Sequence, residues 1–296
     1  MKKHPFLAAF LVTGAVFLFF AVLVIVVAVT MKRPTSLSIG PKVGVVEVEG
    51  AIVTSDSVIR QLKSFREDHS VKSIVLRVNS PGGGVAPSQE IHTEVLKAVE
   101  EKPVVVSMGS VAASGGYYIA APATRIVANP GTITGSIGVI MEFANIQELF
   151  KKIGLKTYIV KSGAYKDLGS PVRPMSRDDR ILLEELISDV HQQFIEAVSE
   201  GRNIERQKVV ALADGRIFTG RQALNEKLID ELGNIEDAID TAARLGGIKG
   251  KPRVIYPKQE KPDLLEYLIQ ESATQVRKVL ISATSGQGMQ FLWSGK

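Results

Sequence analysis

Val104-Val-Val-Ser-Met-Gly-Ser-Val-Ala-Ala-Ser114-Gly-Gly-Tyr-Tyr118 is the stretch around which the rest of the chain is arranged. Pro103 bounds an apolar, β-branched run that reads as a buried strand. The small residues after it, running into Tyr117-Tyr118-Ile119-Ala120-Ala121, read as a turn into a buried helix. Ser114 therefore sits where strand gives way to helix. At such a place a hydroxyl gains from the positive end of the helix dipole, and Gly115-Gly116 let another backbone approach closely. The position suits a nucleophile. It suits a serine that merely caps the helix as well, and the remainder of the chain decides between the two.

Working outward, Val43-Gly44-Val45-Val46-Glu47-Val48 reads as a strand, Val58 to Glu67 as a helix and Ile74-Val75-Leu76-Arg77-Val78 as a second buried strand. That strand runs into Asn79-Ser80-Pro81-Gly82-Gly83-Gly84, and a helix is expected from Pro87 to Glu101. Further strands are expected at Arg125 to Ala128, Ile137 to Ile140 and Tyr158 to Lys161. A long helix from Arg177 to Glu200 follows, with shorter ones at Arg206 to Ala213, Gly220 to Glu226 and Ile235 to Leu245. Strand, glycine turn and helix recur without a sequence repeat, which is the order of an α/β protein. Asp263 to Ala283 reads as an amphipathic helix. Ser285 to Gly288 then release an apolar end, Met289 to Trp293, expected to be a packing clip or disordered rather than a ligand-like segment.

The 296 residues, 45% of them apolar, are ample for a core. One apolar run is not core. Phe6 to Val29 are 24 residues without a charge, enough at about 1.5 Å each to span a hydrocarbon layer of roughly 30 Å, and longer than the core of a cleavable signal peptide. The expected organisation is a cytoplasmic tail at 1–5, a transmembrane anchor at 6–29, a linker at 30–42, a main α/β domain at 43–257 and a C-terminal helix and tail at 258–296. Lys2 and Lys3 before the run nearly balance Lys32 and Arg33 after it, so charge alone does not orient the chain. A short basic tail is the usual cytoplasmic end, which puts the body outside the cytoplasm as a single-pass protein of the cell membrane. The net charge of +5 is dispersed, giving no support to nucleic-acid binding, and the absence of cysteine excludes disulfides and cysteine nucleophiles.

Three glycines after a buried strand are not expected inside a sheet, which each of them weakens. They free backbone N–H groups. No Gly-Lys-Ser/Thr follows, so a nucleotide loop is not indicated, and an oxyanion hole or a structural turn remains. A serine nucleophile needs a base. Nothing in the sequence singles out His4, His69, His92 or His191. Lysine is the other candidate. Unperturbed, near pKa 10.4, about 1 lysine in 2,500 is neutral at pH 7, so desolvation is required of it. Lys161 and Lys166 lie in Val160-Lys-Ser-Gly-Ala-Tyr-Lys-Asp-Leu-Gly-Ser-Pro171, a glycine-bearing loop where burial is possible.

Taken together, Asn79-Ser-Pro-Gly-Gly-Gly84, Met108-Gly-Ser-Val-Ala-Ala-Ser-Gly-Gly-Tyr-Tyr-Ile119, Thr134-Gly-Ser-Ile-Gly-Val139, Lys161-Ser-Gly-Ala-Tyr-Lys-Asp167 and Arg216-Ile-Phe-Thr-Gly-Arg221 with Leu228-Ile-Asp-Glu-Leu-Gly233 stand in an order that resembles the signal peptide peptidase A family in its short, single-repeat, membrane-anchored form. The resemblance covers Val43 to Gly246. It implies a ClpP/crotonase-like spiral of β-β-α units and a homo-oligomeric ring. It implies Ser114 as nucleophile, Lys166 as general base, Ser136 as the serine that hydrogen-bonds the lysine, and an oxyanion hole from amides at Gly82, Gly83 and Gly115. No cofactor or metal is implied. The partners would be the lipid bilayer and extended or membrane-embedded peptides, remnant signal peptides among them. A crotonase-fold acyl-CoA hydratase or isomerase and a non-catalytic regulatory scaffold are the alternatives.

Overall fold

The computed structural model describes residues 14, 18–20, 22, 23, 40–257 and 290–293. The chain divides into two units, Met1–Gly40 and Pro41–Lys296. In the first, residues 14, 18–20, 22 and 23 are helical, with Leu18, Phe19 and Phe20 exposed, and Gly40 is a bend. Among the described residues no helix is long and apolar enough to cross a membrane, and most of the run 6–29 lies outside them, as does the helix expected at 263–283.

The second unit is built on a mainly parallel sheet. Its strands are β1 (Lys42–Glu49), β2 (Val71–Ser80), β4 (Val104–Ala113), β5 (Arg125–Ala128), β6 (Ile133–Gly135), β7 (Ile217–Thr219), β8 (Glu231–Leu232) and β9 (Arg253–Ile255). The order along the sheet is β7-β6-β4-β2-β1-β9, with β5 pairing β4 and β8. A parallel sheet is stable when both faces are covered, and the central strands show why their runs are apolar throughout. Val43, Val45, Val75, Val105 and Val127 pack with Ala238, Ile239, Ala242 and Ala243 of helix α8 (Ile235–Leu245). The alternate residues Val46, Ile74, Leu76, Val106 and Ile126 face the larger core. Helices α1 (Asp56–Glu67), α2 (Val85–Glu101) and α3 (Gly115–Ala120) contribute Leu62, Ile91, Val95, Tyr117 and Ile119 to that core.

The long helix stands where its periodicity put it, as α5 (Arg177–Arg202). It starts in a capping box between Ser176 and Asp179 and ends on Asn203 in the left-handed conformation. Helices α6 (Arg206–Leu212) and α7 (Gly220–Asn225) match their expected positions. Two expected strands do not form. The one at Ile137 to Ile140 is replaced by β6, four residues earlier, where Thr134 Oγ1 donates to Ala112 O and pairing with Val111–Ala113 fixes the register. Tyr158 to Lys161 is a short apolar run of the kind a strand uses, but it joins no strand among the described residues and stays unpaired and exposed. A helix that periodicity did not indicate, α4 (Gln147–Lys152), has no buried residue. The glycine triplet also departs from expectation. Gly82–Gly84 is a strand, β3, paired antiparallel with β10 (Gln290–Leu292). Glycine is what permits it: a Cβ on Gly83 would stand 2.1 Å from the carbonyl oxygen of Ile52.

Candidate active site

Ser114 occupies the elbow between β4 and α3 with φ 53° and ψ −118°. These are the angles of the first central residue of a type II′ turn, a place usually held by glycine, and a side chain there costs on the order of 1–3 kcal/mol. The serine makes no capping hydrogen bond, so it is not at the elbow as a helix cap. The backbone locks it: its N–H donates to Gly135 O and its carbonyl accepts from Tyr118 N, both at 2.8 Å. It is 1% exposed. Upstream, Asn79 Oδ1 accepts from the N–H groups of Ser110 and Val111 at 3.1 and 3.3 Å. This holds open a shift in the β2–β4 register, so that Val78 pairs with Met108 but Ser80 with Ala112, and it carries Ser114 up against the glycine strand.

The cradle beside Ser114 is made of glycine. A Cβ on Gly115 would lie 2.7 Å from Ser88 Oγ and 3.2 Å from both Gly82 Cα and Gly83 N, so these backbones are in contact only because no side chain intervenes. Gly82, at φ 101°, donates its N–H to Ser80 Oγ at 3.1 Å. On the other side of the strand, Trp293 N–H donates to Pro81 O at 2.8 Å. Bonded pairs alternate in an antiparallel ladder, so the Gly83 amide points to the side where Phe291 lies. Gln290–Leu292 thus lies as an extended strand on the glycine edge next to the candidate nucleophile.

Ser136 leaves β6 one residue past the pair Ala113–Gly135, as Ser114 leaves β4. It too has positive φ, 51°, is 8% exposed, and donates its N–H to Arg216 O at 2.8 Å. Beside it opens a cavity of about 390 Å³, walled in part by Val139, Ile140, Ile187, His191 and Trp293. A larger one, about 820 Å³, lies elsewhere, lined by Lys42, Arg60, Asp68 and Tyr256, and meets none of the candidate residues.

The two lysines behave differently. Lys161 Nζ donates to Ala164 O and to Asp167 Oδ1, each at 2.6 Å. Arg173 closes on Asp167 and on Asp179 of the α5 cap, and these hydrogen bonds hold both carboxyls well below the usual carboxylate range. Lys161 is thereby committed to its ion pair with Asp167. Lys166 is exposed, and among the described residues its Nζ has neither a hydrogen bond nor an ion pair. One chain therefore assembles Ser114, Ser136, Gly82, Gly83 and Gly115, and leaves Lys166 at the surface.

No histidine bonds to Ser114 among the described residues. His92 is buried against Tyr118, ring centroids 4.7 Å apart, and desolvation pushes its pKa down to about 4. His191 borders the cavity, and its Nε2 is buried with no hydrogen-bond partner among the described residues. Sequence reasoning passed over His191, Asn79 and the strand at 290–292. Asn79 lay in a quoted motif, but its part in the register shift depends on a neighbour about thirty positions away. Among the described residues no group of three or more His, Asp or Glu could hold a metal ion.

Residues 97–249 match Peptidase family S49, and residues 45–132 match the Clp protease family. A putative protease of Synechocystis is 44% identical over 220 residues, covering 74% of this chain and 79% of that protein. A putative signal peptide peptidase SppA of Enterococcus faecium is 41% identical over 184 residues, 62% of this chain and 54% of its own length. The chloroplastic serine protease SPPA of Arabidopsis thaliana is 33% identical over 228 residues, 75% of this chain and 34% of its own.

Proposed function

Because this chain belongs to peptidase family S49 and is a serine protease, we propose that it is a membrane-anchored endopeptidase of extended apolar peptides, remnant signal peptides foremost, working through a Ser114–Lys166 dyad. The observation that carries the reading is the strand at Gln290–Leu292 on Gly82–Gly84. A peptide in extended form, main chain bonded to the edge beside a strained serine, is how a protease presents a substrate by β-strand addition.

In this mechanism Ser114 Oγ attacks the peptide carbonyl carbon as its proton passes to the neutral Lys166 amine, and Ser136 orients that amine. The N–H groups at Gly115 and in the Gly82-Gly83 strand donate to the carbonyl oxygen as negative charge develops on it, an effect worth about 3–4 kcal/mol per donor. The lysine returns the proton to the leaving amine as the C–N bond breaks, and water then hydrolyses the acyl-enzyme. The fold reading is a ClpP/crotonase-type spiral, the body lies outside the cytoplasm, and the run 6–29 is the anchor. Lys166 reaches Ser114 from a neighbouring copy in a ring. Supporting that, α4 has no buried residue, Tyr158 is 86% and Val160 101% exposed, and Lys166 shares their segment. An ammonium in water is a poor base, and a second copy packed over it removes that water.

Mixed assembly tests the reading. Ser114→Ala and Lys166→Ala proteins are each inactive on an apolar peptide, and co-assembled they regain a fraction of wild-type activity. Persistent inactivity of the mixture, with wild type active and mixed assemblies demonstrated, overturns the shared dyad. Failure of a serine-directed phosphonate to label Ser114 in wild type overturns the nucleophile.

A further inference from the structure

The net charge is dispersed over the chain as a whole, and one stretch departs from that. Arg244 to Lys258 holds five basic residues and no acidic one. The fold sets Arg244 to Arg253 at one end of the sheet. Helix α8 ends at Leu245, Gly246 lies against Lys72 at the start of β2, where a Cβ would stand 3.1 Å from Lys72 O, and Arg253 opens β9 opposite Lys42, the first residue of β1. Because β1, β2 and β9 are parallel, their first residues share that end, whereas Ser114 follows the last residue of β4 at the other. Lys72, Lys249 and Lys251 are exposed, and among the described residues their amines have neither a hydrogen bond nor an ion pair. Arg244 and Lys249 border an open hollow of about 460 Å³ with Ile248 and Pro252, and Asp240 is the one carboxylate on its wall among the described residues. Asp68, at the same end, is taken up by Lys42 and by Ser70. Like charges so placed repel one another until an anionic surface covers them.

We propose that this basic end, centred on Lys249 and Lys251, docks the body on the anionic phospholipid headgroups of the membrane that holds the anchor. The proposal rests on the anchored reading above and adds the face that the body turns to the lipid. Lys42 opens β1 thirteen residues after Val29, so the connection from the apolar run enters the body at this same end, and fully extended it reaches no further than about 45 Å. A patch tethered that closely meets headgroups at high effective concentration, and each basic residue near an anionic surface strengthens binding roughly fivefold. Leu245, 40% exposed at the end of α8, gives the same end an apolar side chain to bury among them. Docking in this sense turns Ser114 away from the lipid, and a peptide reaches it from the aqueous side.

The chain has no cysteine, so a single fluorophore is placed by Leu245→Cys, within the patch, or by Pro130→Cys, exposed after β5 at the opposite end of the sheet. Each full-length protein is reconstituted, body outward, in vesicles of phosphatidylcholine alone or with about one-third phosphatidylglycerol, some headgroups carrying a nitroxide quencher. The fluorophore at 245 is quenched at least about 3-fold more in the anionic vesicles, raising salt from about 0.05 to about 0.5 M removes the difference, and the one at 130 stays unquenched in both. Adding Lys249→Glu with Lys251→Glu, both at exposed positions, lowers the ratio of docked to free body by about 30-fold or more and abolishes the preference. Equal quenching at 245 in the two vesicles, quenching at 130 instead, or a preference that survives the charge reversal overturns the proposal. Competition by millimolar inorganic phosphate at constant ionic strength would assign the patch to a soluble anion and overturns it as well. Flotation with phosphatidylcholine vesicles, which offer the patch no counter-charge, tests the anchor by itself. If the chain does not float there, the anchored reading fails, while salt-reversible flotation with the anionic vesicles still reads the patch, and flotation with neither overturns both.

Discussion

The cradle around Ser114 and the segment 141–175 that carries Lys166 differ in where their apolar side chains go. In the cradle, Ala112, Ala113, Tyr117, Ile119 and Ile137 are fully buried, and two serines are held at positive φ. In the segment, Leu149, Ile153, Leu155, Tyr158, Ile159 and Val160 face outward, although polar networks such as Lys161–Asp167–Arg173 give it a defined course. A monomeric protein seldom exposes so many large apolar residues in one segment without a partner for them. Under the proposed shared dyad, the nucleophile's half of the site is completed by folding and the base's half is left to assembly.

That contrast is most exposed to the double substitution Tyr158→Glu with Val160→Glu. Both side chains are at the surface, so the variant's unfolding free energy stays within about 0.5 kcal/mol of wild type. The proposed ring then fails to form in sedimentation velocity, and activity falls by about 10²–10⁴, the usual contribution of a lost general base. A variant that stays fully active as a monomer would place the base within one chain and erase the distinction.

Gly83→Ala strikes the other region. Its Cβ would meet the Ile52 carbonyl oxygen at 2.1 Å, and a backbone oxygen that already accepts from Gly84 N–H has no rotamer through which to yield. The expected cost is about 3–5 kcal/mol in denaturant unfolding, together with loss of the 290–292 pairing. A stable Gly83→Ala protein that still pairs its tail would mean the close approach is not required.

The two regions were unequally legible in the sequence. Ser114 at a strand-to-helix junction follows from a β-branched run ending in small residues, and α5 and α8 follow from helical spacing and their caps. The glycine triplet as a strand was out of reach, because local propensity opposes it and its partner is more than two hundred positions away at Gln290–Leu292. Tyr158 to Lys161 failed in the opposite sense: a short β-branched, apolar run states that a segment suits a strand, not whether an edge exists to receive it. Lys166 was singled out by resemblance alone. Nothing local separates it from Lys161, whereas the structure does so by an ion pair.

His92 sharpens the account of the buried side through acid stability. Burial lowers its folded pKa to about 4, against 6.5 for an unfolded histidine, so its contribution is fully present above pH 6.5 and is lost as pH falls toward 4. Across that window wild type loses about 3 kcal/mol that His92→Phe does not, read as the difference between the two proteins' urea unfolding free energies at pH 7.5 and pH 4. A constant offset from repacking against Tyr118 cancels in this comparison. Parallel pH profiles would show that the imidazole finds water or a charge partner in the folded protein.

The smallest expected effect separates strain from chemistry at the elbow. Ser114 holds φ 53°, ψ −118°, a conformation that glycine adopts without a Cβ penalty, and its side chain makes no capping bond that would offset the cost. Ser114→Gly should therefore abolish peptide cleavage and yet raise unfolding free energy by up to about 1 kcal/mol, the gain tempered by glycine's larger chain entropy in the unfolded state. Ser114→Ala, equally inactive but still carrying a Cβ, should show no such gain. If Gly and Ala prove equally stable, the elbow is not strained and its geometry needs another cause. If Gly alone is more stable, the protein keeps a serine where backbone preference asks for glycine, which is the signature of a residue held in place for reaction.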